Sequence, residues 1–254
     1  MSHSHSHDHH SHSHGHSHDD IHSANKQFFD KISTTYSHQS SHRAVIETIT
    51  KAILSEPSLI PLNESSTRLL DYACGPGLVS KALLAHVASI VGMDLSPGMV
   101  DEYNTAASNQ GLGRSEMHAV VADLCSPDSS PSLEEYAGFD VAVCSFAFHH
   151  IPDPALAARK IAERLKSGGV FALVDFRTHG EIPGGEAFRH IVAHNGFGEG
   201  EVARWFEEAG LGEVKWVDVG DGGKGVSVVV TNPDTGEEVV SVKKEAFIAV
   251  GRRG

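Results

Sequence analysis

The sequence predicts an α/β protein, a mostly parallel sheet with helices on both faces, and three observations carry this expectation. From Thr67 onward, short apolar runs alternate with helical segments, the pattern left by βα units that build a doubly wound sheet. A turn rich in small residues, DYACGPG at 71–77, stands where the first run ends and a helix begins. The next two runs end on Asp94 and Asp123, at the strand termini where such sheets bind ligands.

Composition bounds the rest. The 254 residues are 40% apolar and 21% charged, enough to bury a core. With 33 acidic against 20 basic residues the net charge is −13, which repels phosphate backbones, so nucleic acid is not expected as a partner. Cys74, Cys125 and Cys144 show no CxxC spacing and predict neither a disulfide framework nor a zinc site. No apolar stretch approaches the roughly 20 residues of a membrane helix, and the N-terminus has neither a basic start nor an apolar signal core. A cytoplasmic protein with no membrane span is expected.

Residues 1–22 alternate serine and histidine with a few aspartates and predict a disordered tail, because so few apolar side chains cannot offset the entropy of ordering. A helix capped at Ser23 then carries Phe28, Phe29, Ile32 and Tyr36 at helical spacing, and a second carries Val45, Ile46, Ile49 and Ile53. Residues 23–66 are read as these two helices and a proline-marked linker, with the helices forming a lid over the domain at 67–254. Strands are expected at RLLDYA, SIVGMD, AVVAD, FDVAVCS and GVFALVDF, with helices starting near Leu78, Ser96, Leu133 and Asp153. Ser96 followed by Pro97 is a helix start, and Gly168 and Gly169 are read as the stop of the Asp153 helix. A helix over Val202 to Ala209 ends at Gly210, and EVKWVDV and EAFIAVG close the sheet. Between them, near 224–243, alternating valines flank NPDTG, which predicts an inserted hairpin. The sum is a Rossmann-like seven-stranded, mostly parallel sheet with an antiparallel last strand.

The strongest chemical signal is LLDYACGPGLVS, residues 69–80. Ala73, Gly75 and Gly77 let a ligand approach the backbone, and free amides at the following helix start favour negative groups. Glycine also serves tight turns for purely conformational reasons. Asp94, about twenty residues on, is placed to accept both hydroxyls of a ribose, its plainer role being a charge at a helix start. Asp123 is placed to accept from an adenine amino group or to cap a loop.

These segments, in this order, resemble the class I S-adenosylmethionine-dependent methyltransferases, in particular the small-molecule branch that includes quinone-biosynthesis enzymes. DYACGPG resembles the family's glycine turn, with Ala73 in place of its first glycine. VGMDLSPGMV, VADL, FDVAVCSFAFHHIPDP and LKSGGVFALVD match its later motifs. The resemblance implies that S-adenosylmethionine is the cofactor. It implies that Asp71 orients the methionine amino group, usually through water, and that Ala73, Gly75 and Gly77 line the methionine portion. Asp94 would hold the ribose, with Leu95 beside the adenine; Asp123 and Leu124 would contact the adenine; Ser145 would approach the sulfonium. Tyr36 belongs to the same set, although Ser37 stands where related helices have aspartate.

Methyl transfer needs an aligned, dry acceptor, and a base only when the accepting atom must lose a proton. His149, His150 and Asp175 are the candidates, with pocket shaping or helix capping as the plainer reading of the histidines. Phe146, Phe148 and Phe176 suggest an apolar wall, while Arg177, His179, His190 and His194 read as surface. The ten histidines within residues 1–22 suggest weak divalent metal binding by the tail, but no catalytic metal. Two rivals share these signals: a nicotinamide-dependent oxidoreductase, against which GPG followed by Leu78 and Val79 departs from GxGxxG, and a silent cofactor-binding module.

Overall fold

A computed structural model describes residues 18–37, 40–126, 132, 135–181, 185–220, 225–231 and 238–254. Among these, β1 (Arg68–Tyr72), β2 (Ser89–Asp94), β3 (Met117–Val121), β4 (Phe139–Ser145) and β5 (Leu165–Phe176) run parallel. The terminal strand β9 (Ala246–Arg253) inserts antiparallel between β5 and β6 (Leu211–Val219), giving the order β3-β2-β1-β4-β5-β9-β6. Strand order reverses between β1 and β4, so a crevice opens at their carboxyl ends.

Period-two alternation fills both faces of the sheet. Leu69, Val141, Val143, Val170, Ala172 and Val174 pack one way, onto Ile49 and Ile53 of α2 (Ser40–Leu54) and Val79 of α3 (Leu78–Leu83). Leu70, Ala142, Cys144, Phe171 and Leu173 pack the other way, onto α5 (Pro154–Ala162) and α6 (Glu199–Glu208). Each buried aliphatic side chain contributes about 1.5–3 kcal/mol relative to exposure. A third cluster joins α4 (Pro97–Asn109) to Met117 and Ala119 of β3.

The helix starts follow their caps. Ser96 accepts from the Met99 amide and Asp153 from the Leu156 amide, each followed by proline at the first helical position. The first helix differs from the sequence expectation. α1 (His18–Tyr36) runs straight through Ser23, which is exposed and caps nothing. Residues 18–22 are therefore helical, held by His22 and Asn25 bonding to the main domain, while residues 1–17 lie outside the described set.

Two further expectations shift. The Asp153 helix ends at Ala162, six residues before Gly168; the glycines instead lie within β5, where pairing jumps from Phe139↔Leu165 to Val141↔Val170. Gly168 there has φ +75°, and a Cβ on Gly169 would sit 2.9 Å from the Lys166 carbonyl oxygen, so the irregularity needs both glycines. Leu133, the expected start of another helix, lies outside the described residues. The insert forms an antiparallel hairpin of β7 (Val226–Thr231) and β8 (Glu238–Lys244), its NPDTG turn again outside them. Among the described residues no helix is long and apolar enough to cross a membrane.

Candidate active site

Two cavities meet at the carboxyl end of the sheet, one of about 530 Å³ and one of about 560 Å³. Phe29 and Tyr36 of α1 and His150 line both.

The first cavity is built where β1, β2 and β4 end. The turn after β1 takes left-handed backbone at Ala73 (φ 55°), Gly75 (φ 52°) and Gly77 (φ 80°). For an alanine that conformation costs about 1–2 kcal/mol, and Phe146, after β4, repeats the strain at φ 51°. Both strained residues line the cavity, as stored strain at functional sites does. Gly75 lines it too, whereas Gly77 does not. A Cβ on Gly77 would lie 2.6 Å from the Tyr103 ring, so Gly77 sets the approach of the turn to α4 and is not a lining residue.

Asp94 closes the far side of this turn. One oxygen accepts from the Gly75 amide at 2.8 Å and the other from the Ser96 amide at 2.9 Å. A carboxylate has about four lone-pair positions, so each oxygen retains capacity for a ligand hydroxyl. Burial, opposed by the Ser96 and Gly75 amides and reinforced by the Asp30 charge, raises its pKa from 3.8 to about 6. Asp71 is 2% exposed, accepts from Ser80 Oγ at 2.6 Å and does not line the cavity. Burial raises its pKa to about 7, opposed by Ser80 and reinforced by Asp94. Leu124 is likewise turned into the core, 1% exposed.

Leu95, Asp123 and Ser145 line the first cavity. Asp123 accepts from the Cys125 amide and faces His22 Nε2 at 2.8 Å. Ser145 Oγ is buried without a hydrogen-bond partner among the described residues, an orphan that a ligand polar atom would satisfy. The N-terminal helix packs along the crevice: Asn25 Nδ2 donates to the His150 carbonyl at 3.2 Å. Asp30 accepts from the Gly98 amide at 2.9 Å and from Ser96 Oγ. Gly98 permits this approach, because a Cβ there would lie 2.8 Å from Ser33 Oγ. Tyr36 feels burial and the Asp94 charge, and its pKa rises to about 12.

The second cavity is lined by Phe28, Phe29, Phe176 and Phe188 together with His149, His150, His179, His194 and Lys244. His149 Nδ1 lies 2.8 Å from Asp175 Oδ1, and its amide donates to the other oxygen at 3.2 Å. An ionised carboxylate only accepts, so Nδ1 carries the hydrogen, and in the neutral imidazole the lone pair then falls on Nε2. Asp175 itself is fully buried and reaches neither cavity. His150 Nδ1 donates to the Ile191 carbonyl at 2.7 Å. Burial, then the neighbouring His149, push its pKa well below the usual imidazole value.

His179 and His194, which the sequence places at the surface, line this cavity, whereas His190 is exposed and Arg177 pairs with Asp218. Phe146 and Phe176 stack at 4.4 Å, one per cavity, while Phe148 is core. Sequence reasoning missed His22, Asn25 and Lys244, since none is signalled by local spacing, and it placed Phe29 on the lid helix by its helical spacing without assigning it to a cavity. Among the described residues no three His, Cys, Asp or Glu side chains are grouped to hold a metal.

Residues 70–173 match the family model described as Methyltransferase domain. An uncharacterized methyltransferase of Schizosaccharomyces pombe is 31% identical over 170 residues, covering 61% of this chain and 60% of that protein. A ubiquinone biosynthesis O-methyltransferase of Xylella fastidiosa is 31% identical over 110 residues, covering 43% and 41%. The chain thus spans less than two thirds of either relative's length. The solved magnesium protoporphyrin IX methyltransferase of Synechocystis, with bound S-adenosylhomocysteine, superposes with TM-score 0.52 at 14% identity, covering 84% of each chain.

Proposed function

We propose that this chain, a class I methyltransferase by its matched domain and its fold, transfers a methyl group from S-adenosylmethionine to a small-molecule acceptor and releases S-adenosylhomocysteine. The observation that carries the reading is the Gly75–Asp94 contact on the wall of the first cavity. It fixes a carboxylate with spare acceptor capacity beside a backbone that offers no side chain.

The residues fit such a nucleoside. Asp94 would hold the ribose hydroxyls, Leu95 and Met99 would pack on the adenine, and Asp123 would accept its amino group in exchange for His22. Gly75 and Ala73 would border the methionine end, with Asp71 acting through Ser80 and the turn. Orphaned Ser145 Oγ would bond there as well. The cofactor supplies an activated methyl group on sulfur.

The chain's own task is then to align the acceptor, exclude water and manage one proton. The second cavity borders the first at Phe29, Tyr36 and His150, so an acceptor there can present its nucleophilic atom across the junction. His149 is the general base, taking the acceptor's proton on Nε2, and Asp175 fixes its tautomer and stabilises the imidazolium that results. His150 is held neutral and shapes the junction. The α1 helix acts as the lid, with Asn25, Phe29 and Tyr36 as its closing contacts. Unpaired Cys74, Cys125 and Cys144 suit the reducing cytoplasm, and the histidines of residues 1–17 are read as a loose divalent-metal site.

Calorimetric titration tests the reading. S-adenosylmethionine is expected to bind in the micromolar range and NADH not at all; the reverse would identify the nicotinamide enzyme instead.

A further inference from the structure

We propose that Lys244, carried into the second cavity by the inserted hairpin, binds an anionic group of the acceptor, so that the substrate class is an apolar, aromatic-sized molecule bearing a carboxylate or similar oxyanion. This rests on the methyl-transfer reading for the word acceptor, while the anion site itself stands on the cavity alone.

The hairpin breaks its own pattern at this lysine. Along β8 and its next residue, Ser241, Lys243 and Glu245 are exposed while Val242 and Lys244 are half-buried, so Lys244 occupies the inward register that alternation reserves for an apolar side chain. Its Nζ lies 4.1 Å from the centre of the Phe176 ring, and Val228 and Val229 of β7 line the same wall. Among the described residues no carboxylate pairs with it. Of the acids nearby, Asp175 holds His149, Glu181 holds Arg189, and Glu186, which also lines the cavity, is exposed to solvent.

An ammonium has three donors, and an aromatic face satisfies none of them as an oxygen would. Burial pushes the Lys244 pKa down from 10.5 to about 8, with Asp175 acting against that shift. A cation drawn out of water and left unpaired is unfavourable until an anion joins it. The same charge repels ammonium-bearing acceptors, so protonated amines are excluded as substrates. The four phenylalanines of the cavity supply the apolar contact, and Lys244 supplies the orientation that turns the nucleophilic atom toward His149.

The test uses two dyes of similar shape on the full chain: anionic 8-anilinonaphthalene-1-sulfonate and uncharged N-phenyl-1-naphthylamine. Lys244→Met keeps the aliphatic stem and removes the charge; Lys244→Arg keeps the charge. Fluorescence titration is expected to show the sulfonate dye bound about 10-fold more weakly by Lys244→Met, near wild-type binding by Lys244→Arg, and the neutral dye within about twofold throughout. No sulfonate-dye binding by the wild type, an unchanged affinity in Lys244→Met, or equal losses for both dyes would overturn the anion site. Calorimetry with S-adenosylmethionine on the same samples separates the two claims. Wild-type failure there refutes methyl transfer, whereas normal binding with a failed dye test refutes only the role of Lys244.

Discussion

The two cavities share Phe29, Tyr36 and His150 but have opposite electrostatics. The first is bordered by carboxylates whose pKa values are raised, Asp94 to about 6 and, behind the turn, Asp71 to about 7. The second is bordered by His150, His179 and Lys244, whose values are lowered. Burial is the largest cause in each case, and it acts on whichever charge is present. What differs is the partner each cavity lacks. Acceptor oxygens face the first space, suiting hydroxyl and amino donors of a nucleoside. Lys244 and the histidines face the second, alongside the exposed carboxylates Glu181 and Glu186, suiting an acidic acceptor oriented by the half-buried cation.

This contrast can be broken most forcefully at His149. His149→Gln is expected to lower kcat by about 10²–10⁴-fold, the usual range for a positioned base, while calorimetric affinity for S-adenosylmethionine stays within about threefold. A matching loss of cofactor affinity would show that the two cavities are not separate in function. Asp94→Ala should do the converse. Losing two charge-assisted hydrogen bonds weakens S-adenosylmethionine binding by about 100-fold or more, and dye binding in the second cavity should not change.

A smaller effect sharpens the comparison through pH. In the proposed complex the ribose donates to ionised Asp94, so cofactor affinity should be level above about pH 6 and fall by up to tenfold per unit below it. The free fold responds with the opposite sign. Asp71 and Asp94 have folded values above 3.8, so the folded state holds protons that the unfolded chain has released. Their contribution to stability therefore declines as pH rises from about 4 to about 7. Calorimetry across pH 5 to 8 would read the first trend and urea unfolding the second; cofactor affinity flat through pH 5 would remove Asp94 from the ribose site.

The first cavity was largely legible in the sequence because its parts lie at strand ends within one local motif each: Ala73 and Gly75, Asp94 and Leu95, Asp123, Ser145. What local motifs left open there was the packing around the turn: Asp71 accepts from Ser80, and Gly77 approaches the Tyr103 ring. The second cavity was scarcely legible. His179 and His194 come from the loop after β5, Phe28 and Phe29 from α1, and Lys244 from β8. These segments are far apart in sequence, and no periodicity links them. His22 likewise read as tail, since its partner Asp123 is 101 residues away.

By itself, then, the sequence determined the sheet, its faces and the cofactor turn, because hydrophobic alternation, caps and left-handed glycines act over a few neighbouring residues. Tertiary structure alone decided which acids line a cavity, that α1 packs along the crevice, and that a hairpin lysine meets Phe176. Those outcomes depend on long-range packing and on which buried charge finds a partner, and neither is encoded within a local window.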